Sequence, residues 1–170
     1  MKTVPVKIKN LLFLLILSSC FNFCFSQDNS SNNRILSSEY TKILAYSRTL
    51  MELEKATPLT YENIVSEINV SFQKTKNSIE ELKKSVSEPA VAQGKPAKKV
   101  KPSAKKTILA EHYSVLTKYQ QEAESNLNGL NETLKNPEFN LSAFKQYLRK
   151  LHGAVERAER ERKHIQSSKS

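Results

Sequence analysis

Residues 57–89, TPLTYENIVSEINVSFQKTKNSIEELKKSVSEP, hold the clearest periodicity in the chain. Tyr61, Val65, Ile68, Phe72, Thr75, Ile79, Leu82 and Val86 follow one another in alternating steps of four and three. That spacing keeps one face of an α-helix apolar for three heptads, as a seam that packs against partner helices along its length. The ends are marked as well. Thr57 offers a capping hydroxyl, Pro58 suits the first helical position, and Glu88-Pro89 disfavours continuation.

The same period extends to either side. From Ile35, the residues Leu36, Tyr40, Ile43, Leu44, Leu50 and Met51, with Ser47 between them, predict a helix ending near Lys55-Ala56. From Thr107, a third helix carries Leu109, His112, Leu116, Tyr119, Ala123, Leu127, Leu130 and Leu134. Two consecutive steps of four, Tyr119 to Leu127, interrupt its heptad once, which predicts local unwinding. Asn136-Pro137 ends it. The fourth runs from about Asn140 through Leu141, Phe144, Leu148, Leu151, Val155, Ala158, Arg162 and Ile165. Glu156 to Arg160 and Glu159 to Lys163 are favourable four-residue pairs, and these charged last turns are expected to project into water.

Each pair of helices is joined by a short turn, and neither pair can bury its stripe alone. The expected fold class is therefore all-α: a four-helix bundle made of two antiparallel helical hairpins, residues 35–87 and 107–166, joined by a long Lys/Pro/Ala-rich linker. Up-down-up-down is the expected order. A homodimer in which hairpins of two chains complete the bundle is the alternative that a long linker permits. No tryptophan and only three glycines agree with a helical chain.

Residues 88–106 form the linker. It contains Lys95, Lys98, Lys99, Lys101, Lys105 and Lys106 against Glu88 alone, so much of the net charge of +10 is concentrated there. Two isolated valines are its only branched apolar residues, too few for a core, and lysine repulsion favours an extended chain. KPAKKVKPSAKK resembles, in composition, the Lys-Ala-Pro tails that hold polyanions. A flexible polycation binds anions through counterion release with little sequence preference. The partners this implies are an anionic surface or polyanion, such as lipid headgroups, cell wall or glycans, or a protein partner. The absence of interleaved aromatics argues against specific nucleic-acid recognition.

The first 26 residues read as a signal peptide. Lys2, Lys7 and Lys9 precede an uncharged apolar run from Leu11 to Phe25, shorter than the ~20 residues a membrane span needs. Cys24-Phe25-Ser26 has small residues at the outer two positions and polar Gln27-Asp28 beyond, which predicts cleavage after Ser26. Leu17-Ser18-Ser19-Cys20 resembles the lipobox of bacterial lipoproteins, and that resemblance implies lipidation at Cys20 as the alternative. Both cysteines fall in this segment, so a chain starting at Gln27 has no disulfide. Residues 27–34 are expected to be a disordered lead-in and 167–170 a tail. The expected location is exported: periplasmic or secreted, or held at a membrane as a lipoprotein.

Motifs for a nucleophilic serine or cysteine, a phosphate loop, a zinc protease and a calcium loop are all missing, so no enzymatic role is expected. If the chain reverses around Pro137, His112 should face residues 162–165. That would bring it near His164, with Glu161 one turn away, as a candidate metal site. Four-helix haem proteins resembling the small cytochromes use a methionine on the first helix and a histidine on the last. Met51 is expected level with residues 139–144, and His152 ~12–18 Å further along the axis, which argues against haem; no cofactor is expected. Sequons at Asn29, Asn69, Asn131 and Asn140 are too frequent in an Asn- and Ser-rich chain to be informative.

The expected function is a non-enzymatic helical module of the envelope or secreted space that contacts anionic surfaces through its lysines. The alternatives are an exported chaperone or carrier for apolar clients and, more weakly supported, a metal-binding bundle.

Overall fold

The computed structural model describes residues 29–53, 57–87 and 104–168, of which 93% are helical; no strand occurs among them. Four helices form a bundle: α1 (Asn29–Glu52), α2 (Pro58–Ser87), α3 (Ala104–Lys135) and α4 (Leu141–Ser167). Helix α1 packs on α2, α2 on α3, α3 on α4, and α4 on α1.

Local chemistry fixes the helix ends. The Thr57 hydroxyl accepts from the Thr60 amide at 3.3 Å, which caps α2. Between α3 and α4, Asn136 Oδ1 accepts from the Glu138 amide, and Asn140 Oδ1 accepts from the Ala143 amide at 3.0 Å as the N-cap of α4.

Pairs across the helix boundaries show the directions of neighbours. On α2 and α3, Asn69 meets Asn131 and Lys76 meets Glu124. On α3 and α4, Glu122 meets Arg157 and His112 meets Glu161. In each case rising numbers on one helix face falling numbers on the next, so these neighbours are antiparallel. On α1 and α4, Ser47 meets His152 while Tyr40 lies near Glu159 and Arg162, which is antiparallel too, so the start of α1, the end of α2, the start of α3 and the end of α4 gather at one end of the bundle.

One apolar cluster fills the interior, from Leu36, Tyr40, Ile43 and Leu50 on α1 to Phe144, Leu148, Leu151, Val155 and Ile165 on α4. The stripe on α2 is buried from Tyr61 to Leu82. At the turn end, the rings of Tyr61, Phe139 and Phe144 lie with centroids 5.2–5.6 Å apart, tilted or edge-on.

Four expectations are corrected. Helix α1 starts at Asn29 and not at Ile35, because Asn32, one turn before Leu36, joins the same buried stripe. Helix α3 starts at Ala104 and not at Thr107. Alanine and lysine are good helix formers, so Lys105 and Lys106 belong to its first turn and not to a linker. The heptad of α3 is unbroken, since Tyr113 and Gln120 occupy the core positions assigned to His112 and Tyr119. The last turns of α4 stay packed, with Arg162 and Ile165 both buried.

Candidate functional site

A layer of polar groups crosses the middle of the bundle. The Tyr40 hydroxyl donates to Gln120 Oε1 at 3.0 Å, Gln120 Nε2 donates to Thr75 Oγ1 at 2.7 Å, and Thr75 in turn donates to the Phe72 carbonyl. Every member has a partner, as a buried network requires. Burial pushes the Tyr40 hydroxyl far above the usual tyrosine range; the Glu159 carboxylate adds to this and the Arg162 guanidinium opposes it. Arg162 itself is buried against both oxygens of Glu159, at 2.6 and 2.8 Å, and against Gln166 Oε1 at 3.0 Å. Its hydrogen bond to Glu159 raises its pKa, against the opposing effect of burial. The Tyr40–Gln120–Thr75 network ties α1, α2 and α3 together, whereas the hydrogen-bond partners of Arg162 all lie on α4.

Of the proposed metal ligands, the structure brings two together. His112 Nδ1 lies 2.6 Å from Glu161 Oε1, where the reversal around Pro137 places them. His164 is exposed on α4. Among the described residues, no group of three or more His, Cys, Asp or Glu side chains gathers as a metal site. His112 and Glu161 thus form a link between α3 and α4.

The register of α1 on α4 also differs from expectation. Ser47 Oγ lies 2.7 Å from His152 Nδ1, and Met51 is one turn beyond Ser47. The axial offset between Met51 and His152 is therefore about one turn, ~6 Å, rather than ~12–18 Å. His152 Nε2 lies 3.5 Å from Glu156 Oε1, so both ring nitrogens face protein groups.

The remaining site residues are Cys20 in the N-terminal segment and six lysines of the lysine-rich region. Cys20, Lys95, Lys98, Lys99 and Lys101 lie outside the described residues, while Lys105 and Lys106 fall in the first turn of α3. Helices α2 and α3 flank that region, and along their seam they leave a groove of about 440 Å³. Its origin is steric. Ala110, Ser114 and Thr117 present small side chains turn by turn on α3 and leave space beside Val86 and Tyr113. Lys83 and Lys118 line it with Gln121, and no acidic residue does. Sequence reasoning passed over it because Lys83 and Lys118 are ordinary surface positions in a regular helical pattern; the small triplet on α3 was the available signal.

A second cleft, of about 580 Å³, lies beside the α3–α4 turn and is lined by Glu132, Glu138 and Tyr147 among others. Exposed large apolar residues are scattered: Leu59 and Val70 on α2, Ile108 and Val115 on α3, Tyr147 on α4. No described helix is long and apolar enough to cross a membrane. Comparison with protein families, curated proteins and solved structures yields no match. The site is therefore read from its own chemistry.

Proposed function

We propose that the protein is an exported, non-enzymatic interaction module: two helical hairpins, α1–α2 and α3–α4, joined through the lysine-rich segment, which contacts an anionic surface. The supporting observation is the common end of the bundle. Ser87 and Ala104, which flank the segment, lie at the same end as Asn29, the first described residue after the signal sequence. A lipid on Cys20, or a surface met from that side, would approach the end of the bundle at which Ser87 and Ala104 lie.

Polycation attraction of this kind is strong at low salt and falls as ions screen it. The carrier alternative requires an exposed apolar groove, whereas the apolar stripes here converge on one buried cluster and the exposed apolar residues lie apart. The test is co-sedimentation with phosphatidylglycerol vesicles, comparing the wild-type chain from Gln27 with a variant carrying glutamine at Lys95, Lys98, Lys99, Lys101, Lys105 and Lys106. The wild type should bind at low salt and release as salt is added, and the variant should not bind. Equal binding by the two would overturn the proposal.

A further inference from the structure

The cleft beside the α3–α4 turn, of about 580 Å³, is opposite in charge to the far end of the bundle. Glu132 and Glu138 line it, and no lysine or arginine does. Neither carboxylate forms an ion pair among the described residues. The Tyr147 ring, 37% exposed, also lines the cleft, and it is seated against Gly129, where a Cβ would displace it. Asn136 and Asn140 commit their Oδ1 atoms to the Glu138 and Ala143 amides, which leaves their Nδ2 groups as donors. Two carboxylates, one aromatic face and amide donors are thus gathered in one place.

A basic chain that contains proline uses all three. Its lysines pair with carboxylates, a prolyl ring or an ammonium lies on an aromatic face, and the carbonyls of an extended backbone accept from amides. This protein carries such a chain in residues 88–103, with Lys95-Pro96, Lys98, Lys99 and Lys101-Pro102, where each proline biases the residue before it to extended backbone. The segment cannot reach its own cleft. Glu132 lies ~42 Å from Ala104 along α3, whereas Lys95, the lysine furthest from Ala104 in the segment, is at most ~32 Å from it with the chain pulled straight. The cleft of a second copy carries no such restriction. We propose that the lysine- and proline-rich segment of one copy docks in the cleft of Glu132, Glu138 and Tyr147 on another, so that copies associate head to tail. The two surfaces differ and lie at opposite ends of the bundle, so the contact is heterologous and repeats as an open series. This goes beyond the surface contact proposed above and does not depend on it, although a lysine held in the cleft is not available to a surface.

The test is sedimentation velocity of the chain from Gln27 at low salt, without lipid, as its concentration is raised. The wild type should gain mass progressively, and added salt should reverse this. Two variants separate the two surfaces. Glu132→Gln with Glu138→Gln keeps the segment and removes the charge of the cleft, while glutamine at Lys95, Lys98, Lys99 and Lys101 keeps the cleft and removes the cations. Each alone should self-associate at least about tenfold more weakly than the wild type. Mixed, they should form a 1:1 pair that grows no further, with amide shifts on the lysine variant at residues 128–147. Glu132 and Glu138 are exposed, and the four lysines lie outside the described helices, so circular dichroism should show unchanged helix content. A wild type that stays monomeric, a glutamate variant that associates like the wild type, or a mixture that forms no pair would overturn the proposal. So would a closed dimer indifferent to both variants, which is what exchange of hairpins between two chains gives. Because no surface is present, this association can fail while lysine-dependent vesicle binding persists, and the reverse also holds.

Discussion

Two tyrosines show how a hydroxyl's partner decides its value. Tyr40 and Tyr61 are both buried, yet Tyr40 donates to Gln120 while the Tyr61 hydroxyl has no hydrogen-bond partner among the described residues. Tyr40→Phe should therefore cost about 1–2 kcal/mol, since it leaves Gln120 Oε1 without its buried donor. Tyr61→Phe removes an unsatisfied group and keeps its ring among Phe139 and Phe144, so stability should be unchanged or raised. Urea unfolding at neutral pH compares the two directly.

Glu39 is a buried carboxylate 2.8 Å from the Lys42 ammonium. Burial acts to raise its pKa, but the hydrogen bonds of Lys42 and Ser71, with the charges of Lys42 and Lys74, together hold it below the ordinary 4.5. A pKa lowered in the folded state means that the carboxylate adds stability above the unfolded value, and that this part is lost as pH falls through the folded value. Between about pH 5 and pH 3 the wild type should therefore lose more stability than Glu39→Gln. Parallel pH profiles of the two would show that the Lys42 pairing contributes nothing.

At the scale of the helix, a polar core residue is legible where apolar neighbours hold its register, as for Ser47 and Thr75, and not where an apolar or aromatic residue stands next to it. The stripe of α2 could be read from residues 57–89 because its apolar residues keep one register throughout and its buried polar residues, Ser71, Thr75 and Ser78, are small and do not compete with it. On α3 the same reading slipped by one residue at two places, choosing His112 and Tyr119 over Tyr113 and Gln120. A glutamine signals a surface until the tyrosine and threonine that satisfy it are known, and those lie on other helices. Asn32 hid the true start of α1 for the same reason. The candidate site was legible only where charge is dense. The meeting of His112 with Glu161 followed from chain reversal at Pro137, whereas the outward turn of His164 and the groove depend on helix rotation.

Gly129 gives the α3–α4 contact a sharp test. A Cβ there would lie 2.5 Å from Cε1 of the Tyr147 ring, so the ring rests where only glycine leaves room. With Tyr147→Ala already present, Gly129→Ala should stabilise α3 by ~1 kcal/mol through helix propensity. In the wild-type background the displaced ring should offset that gain, giving a coupling of ~1 kcal/mol or more in a double-mutant cycle. Additive effects would mean that the ring moves aside freely.

At the scale of the whole molecule, the antiparallel order makes the bundle's ends chemically different. The turn end holds the Tyr61, Phe139 and Phe144 rings and the cleft with Glu132 and Glu138. The opposite end holds the first turn of α3 with Lys105 and Lys106, the end of α2, and the start of α1. Under the proposed function, an anionic surface should meet the protein end-on, with the helices upright above it, and a side-on approach would leave the lysine-rich end unused.

The most direct measurement is paramagnetic broadening of amide signals by vesicles of phosphatidylglycerol that carry a gadolinium-chelating lipid. End-on docking predicts strong broadening at residues 83–87, 107–114 and 164–168, and little at Tyr61, Phe139 and Phe144. Uniform broadening along all four helices, or broadening strongest at the turn end, would contradict the account.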